Sequence, residues 1–199
     1  MAKLSEFRRT AAYYFIQPAV RFLAKTPVTP NALTWFGFLL AIVAAVLISL
    51  EYLLIAGIVL LIAGFFDLLD GALARHTNRA SHFGAILDST LDRLSEGALL
   101  LGILVFYAGE PSTLGILLAG IALLGSLLVS YIRARGEALG LECQAGFFTR
   151  PERVVVLVLG LLLSHFSYAL IIALAIIVLL SFITVGQRLI YLWRQTENR

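Results

Sequence analysis

The chain has 199 residues, 60% of them hydrophobic and 14% charged, and a mean hydropathy of +0.95. Soluble domains carry about 25% charged residues. The composition therefore excludes a water-soluble monomer, a disordered chain and a nucleic-acid scaffold, despite a net charge of +3.

At about 20 apolar residues per crossing, the chain has material for about six membrane helices and little besides. Residues 3–25 come first. Lys3, Arg8, Arg9, Arg21 and Lys25 are interspersed with Phe7, Tyr13, Tyr14, Phe15, Ile16, Val20, Phe22 and Leu23. That mixture predicts a helix lying on a membrane surface, bent at Pro18. The stretch Thr26-Pro27-Val28-Thr29-Pro30-Asn31 breaks it, with Asn31 as the expected N-cap of the next helix. No apolar run precedes Ala32, which is not the layout of a cleaved signal peptide. Residues 1–31 read as an amphipathic juxtamembrane helix and linker, and 32–199 as one six-helix membrane domain.

Apolar segments follow at about 32–50, 52–75, 82–108, 113–138, 151–165 and 168–192. With the amino terminus in the cytoplasm and the sides alternating, all 15 Lys and Arg residues fall at cytoplasmic ends. The opposite loops carry only Glu51 and Glu110 as charged residues. The expectation is an all-α, multi-pass protein of the cell membrane, with six transmembrane helices and both termini cytoplasmic.

All four aspartates fall between 67 and 92, at the ends of two very apolar segments. Asp67, Asp70, Gly71 and Ala74 are spaced i, i+3, i+4, i+7 and share one helix face. Gly84, Asp88 and Asp92 share another, across a short polar loop. Four close carboxylates cannot all stay ionised without a cation, and oxygen-only ligands call for a hard divalent ion, Mg²⁺ or Mn²⁺. Such ions commonly bridge phosphates. Small residues on these faces also serve plain helix packing, but packing does not require four charges. A carboxylate-lined ion pathway, as in a transporter, is disfavoured because the acids cluster at one membrane edge. A non-catalytic scaffold is the other rival.

The run D-x2-D-G-x2-A-R-x8-G-x3-D-x3-D, from Asp67 to Asp92, resembles the signature of the CDP-alcohol phosphotransferases at every fixed position. Pro30, Asn31 and Thr34 resemble the start of that family's first membrane helix. The resemblance implies transfer of a phospho-alcohol group from a CDP-linked donor to a second alcohol, with release of CMP. It implies that Asp67, Asp70, Asp88 and Asp92 hold the metal, and that Asp92 also acts as general base. It further implies that Asp67, Asp70, Gly71, Ala74, Arg75 and Gly84 surround the CDP moiety, and that the protein is a homodimer.

The second half offers Arg133, Arg153 and Arg188, from three segments and all at cytoplasmic ends. Guanidinium forks suit a second phosphate, so a phosphorylated acceptor is expected. These stretches look most like the phosphatidylinositol phosphate and archaetidylinositol phosphate synthase branch, which implies inositol 1-phosphate as acceptor. Glycerol 3-phosphate, as in a phosphatidylglycerol phosphate synthase, is the alternative. Basic residues at membrane edges also arise from topology alone, the reading given to Arg135, Arg150 and Arg194. Glu137 and Glu152 are expected to pair with neighbouring arginines, and Glu96 to support the aspartates from one turn beyond Asp92. His76, His82 and His165 are read as loop or interface residues, since a hard-ion site does not call for imidazole, and Cys143 as an inert loop thiol.

Overall fold

A computed structural model describes residues 17–110, 112–143 and 145–197. Residues 1–16, which carry most of the expected surface helix, lie outside the described residues. Residues 17–23 are helical and form α1. The helices that follow are α2 (Pro30–Ser49), α3 (Leu53–His76), α4 (His82–Gly109), α5 (Thr113–Ala138), α6 (Arg150–Leu162) and α7 (Ala169–Glu197). No strand occurs among the described residues.

Four of these helices, α2, α3, α5 and α7, are long and apolar enough to cross a membrane. In α4 the charged residues Asp88, Asp92, Arg93 and Glu96 interrupt the apolar run, and α6 has only 13 residues. Large side chains such as Leu39, Val43, Leu54, Leu61, Leu117, Leu124, Ile172 and Leu179 are exposed along the four apolar helices. Such surfaces suit hydrocarbon rather than water.

The caps explain the boundaries. Thr29, not Asn31, caps α2: its hydroxyl accepts from the Ala32 amide at 3.2 Å, and Pro30 takes the first helical position. Proline suits that position because its missing N–H would have no partner there. Ser81 caps α4 by accepting from the Gly84 amide at 3.0 Å. Three helices end on a left-handed residue: Glu51 (φ 68°) after α2, Asn78 (φ 52°) after α3 and Gly140 (φ 71°) after α5. In each case the next amide reaches back five residues, Tyr52 to Leu47, Arg79 to Ala74 and Leu141 to Gly136, at 2.9, 3.0 and 3.0 Å. These bonds satisfy carbonyls that a helix end leaves unpaired. Helix α6 stops at Leu162, short of the expected 165, and α7 runs on to Glu197, past the expected 192.

The chain divides into two compact units, residues 1–40 with 61–94, and 41–60 with 95–199. In the first, Val20, Leu33, Leu69 and Leu73 form a buried cluster, with Leu23, Val28 and Phe66 packed against it. Gly37 lets α2 approach α3, since a Cβ there would sit 3.6 Å from the Ala63 carbonyl oxygen. In the second unit α7 packs against α5 and α6. Gly102 lies so close to Ala45 that a Cβ would stand 2.5 Å from its carbonyl oxygen, and Gly160 meets Ala173 just as tightly. Small residues at such crossings are how helices approach closely without a water-driven force.

Candidate active site

In the first unit, the turn at 77–81 reverses the chain between α3 and α4, so two helix ends present their acidic faces together. Asp67 and Asp70 come from α3 and Asp88 from α4. One carboxylate oxygen from each lies within 4.8 Å of the other two. Asp70 is buried, Asp67 and Asp88 half-buried. The Thr34 hydroxyl lies beside Asp70 and donates to the Pro30 carbonyl at 3.1 Å. Oδ2 of Asp70 is buried and has no hydrogen-bond partner. An orphaned oxygen on a buried carboxylate that has two more carboxylates close by is costly as it stands. A divalent cation held by the three carboxylates would give that oxygen a partner, so these residues fit the expected metal. Asp92 stands one turn beyond Asp88 on α4, half-buried and outside this close group of three.

The residues expected around CDP sit on the same two helices. Gly71 and Ala74 are half-buried, and Arg75 is exposed. The Arg75 guanidinium folds back over Gly71, where a Cβ would stand 3.4 Å from Nη1. Gly84 opens the first turn of α4. A Cβ there would meet Ser81 Oγ at 3.0 Å and Asn31 Oδ1 at 3.1 Å. Asn31, expected as a cap, thus serves as a polar neighbour of Gly84 instead. The sequence marks Asn31 and Thr34 only as the start of the first membrane helix, and nothing in it places them beside Gly84 and Asp70.

The second unit holds a cavity of about 640 Å³, lined by residues that include Arg133, Glu137, Cys143, Gly146, Thr149 and Arg188. Arg133 is exposed and pairs with Glu137 one turn on at 2.8 Å. Arg188 is buried, and its hydrogen bonds go to carbonyl oxygens: Nε to Ala145 at 3.0 Å, and Nη1 to Val129. Arg133 and Arg153 both lie near enough for their charges to act on Arg188. Of the three, Arg133 and Arg188 line the cavity, and positive charge in a cleft suits an anion. Arg153 itself is not among the lining residues. It is 2% exposed, and both Glu96 oxygens grip it, at 2.5 Å to Nε and 2.8 Å to Nη2. Glu96 therefore serves Arg153. Glu152 closes a capping box on α6, accepting from the Thr149 amide at 2.9 Å and hydroxyl at 2.6 Å. Cys143 is buried in the cavity wall.

Comparison with known proteins shows the family. The model of the family described as CDP-alcohol phosphatidyltransferase matches residues 27–186. The archaetidylinositol phosphate synthase of Methanothermobacter thermautotrophicus is 41% identical over 167 residues, covering 83% of this chain and 83% of that protein. Two crystal structures of the Mycobacterium tuberculosis phosphatidylinositol phosphate synthase are similar at 35% identity. The form with CDP-DAG bound gives a TM-score of 0.81 and covers 88% of this chain and 92% of that one. The form in complex with manganese and citrate gives 0.82 and covers 88% of each.

Proposed function

The chain belongs to the CDP-alcohol phosphatidyltransferase family, and from that premise we propose that it is a phosphatidylinositol phosphate synthase-like transferase of phospholipid biosynthesis. It moves the phosphatidyl-type group, the diacylglycerol or archaeol alcohol together with its phosphate, from a CDP-lipid onto inositol 1-phosphate and releases CMP. The carboxylate cluster carries this reading: three aspartates within 4.8 Å, one buried with an unpartnered oxygen, at the family's spacing. Solved relatives with CDP-DAG and with manganese support the donor and the metal.

Asp67, Asp70 and Asp88 hold Mg²⁺ or Mn²⁺, with Asp92 completing the site. The metal supplies charge neutralisation for the pyrophosphate. Gly71, Ala74 and Gly84 leave room for the CDP moiety beside Asp67 and Asp70, and Arg75 offers its planar fork to a phosphate. Asp92 takes the proton from the acceptor hydroxyl. That oxygen forms its bond to the β-phosphorus as the bond from phosphorus to the CMP oxygen breaks, in line. Arg133, Arg153 and Arg188 hold the acceptor's own phosphate. Glycerol 3-phosphate offers the same phosphate, so it is the alternative acceptor.

The protein crosses the cell membrane six times, through α2 to α7. Both termini and the site face the cytoplasm, and residues 1–31 lie along the surface ahead of the membrane domain 32–199. The gathering of all 15 Lys and Arg residues at one set of helix ends supports this orientation. The working form is a homodimer, as the family resemblance implies. The test is CMP release from a CDP-lipid in detergent with Mg²⁺ or Mn²⁺, using inositol 1-phosphate, glycerol 3-phosphate, inositol and serine in parallel. Release only with inositol 1-phosphate is expected. Release with serine or free inositol instead would overturn the phosphorylated acceptor, and none with any acceptor would overturn the transferase.

A further inference from the structure

A guanidinium offers five N–H donors in one planar fork. In Arg153 one edge of that fork, Nε and Nη2, is taken up by the two oxygens of Glu96. Nη1, by contrast, is buried and has no hydrogen-bond partner. The two residues are 57 apart in sequence, and Glu96 is itself only 7% exposed. A buried donor on a cation is expensive to leave unmade. A pair kept for stability alone is also a weak device, since apolar residues of the same volume often do as well. The first turn of α6 ties Arg153 to the cavity wall. Its amide donates to the Thr149 carbonyl at 3.2 Å, and Thr149 lines the cavity together with Arg188.

We propose that Glu96 is a positioning residue for the acceptor: it locks the plane of the Arg153 guanidinium so that Nη1 is held ready for an oxygen of the acceptor phosphate. This rests on the reading that Arg153 binds that phosphate. A lysine in place of Arg153 would keep the charge and the partner but lose the fork, and with it the fixed direction of the free donor.

The experiment uses the full chain in detergent micelles, with CMP release measured while inositol 1-phosphate and CDP-lipid are varied in turn. Glu96→Gln raises the KM for inositol 1-phosphate about tenfold or more, and leaves the KM for CDP-lipid nearly unchanged. Arg153→Lys gives the same split. The double variant is no worse than Arg153→Lys alone, because the two residues act as one unit. Additive losses, or an unchanged acceptor KM in Glu96→Gln, would overturn the positioning role and leave the acceptor reading standing. A wild-type protein that transfers to no phosphorylated acceptor would overturn the acceptor reading and the inference with it. Should Glu96→Gln fail to fold, Arg153→Lys decides: an unchanged acceptor KM there sinks the proposal.

Discussion

Gly146 sits against Arg188 with no room for a side chain: a Cβ on Gly146 would lie 3.0 Å from the arginine's Nε and 2.7 Å from Thr184 Cγ2. Its φ of +103° also suits glycine far better than any L side chain. The loop ahead of α6 thus closes over Arg188 only because residue 146 lacks a Cβ. Gly146→Ala is expected to raise the acceptor KM about tenfold, the cost of a lost charge-assisted contact, and to lower thermal stability. Gly140→Ala is the control, since Gly140 also has positive φ but open space around it. Steady-state kinetics on both variants check this, and equal effects would point to backbone strain alone.

Asp67→Asn, Asp70→Asn and Asp88→Asn are each expected to abolish CMP release while the protein still inserts and purifies. Each removes one ionised oxygen ligand from a site built of three. Turnover near that of the wild type in any of them, at ordinary Mg²⁺ concentrations, would remove that residue from the metal site.

Chelation tests the same cluster without mutation. A cation that binds the folded state alone stabilises it by mass action, and here it also relieves repulsion among three carboxylates. Removing divalent ions is expected to lower the unfolding temperature of the wild type in detergent, and to do so far less in Asp70→Asn. The measurement is a thermal melt of both proteins with and without chelator. Equal shifts would place the stabilising ion elsewhere.

Asp92 is the candidate base and stands outside the close group of three. Asp92→Asn is expected to keep CDP-lipid binding in the presence of metal and to lose turnover by about 10²–10⁴-fold, the usual yield of general-base catalysis. Calorimetry reads the binding and CMP release the turnover. Loss of both together would make Asp92 chiefly a ligand.

The three arginines differ in setting, so their alanine variants should differ too. Arg133 is exposed and paired with Glu137, whereas Arg188 is buried and donates to the carbonyls of Ala145 and Val129. Arg188→Ala is expected to raise the acceptor KM about tenfold or more, and Arg133→Ala by less, because an exposed pair is worth little. A larger effect at Arg133 would move the phosphate to the mouth of the cavity.

Much of this was legible in the residues before any coordinates. Apolar runs locate the six helices α2 to α7, and the helical spacing of the aspartates anticipates the close group of Asp67, Asp70 and Asp88. What escaped was whatever depends on distant parts of the chain or on competing local signals. Thr29 and Asn31 both make good caps, and only Pro30 between them decides for Thr29. No glycine or proline marks the end of α6, so the residues alone do not fix its length. Nothing in the neighbourhood of Glu96 announces Arg153 as its partner, and pairings of that kind are set by packing.

The brevity of α6 has a consequence for the surrounding lipid. Thirteen residues rise about 20 Å, against a hydrocarbon thickness of about 30 Å. In the proposed topology, the turn at 163–168, with exposed His165, Phe166 and Tyr168, ends about 10 Å short of the far surface. In that topology the far leaflet dips to meet it, at a fraction of a kcal/mol for each ångström. A protein inserted in this way carries an elastic preference of its own. Bilayers with shorter acyl chains fit this flank with less deformation, so chain length becomes a variable that acts on the enzyme from outside the aspartates and arginines.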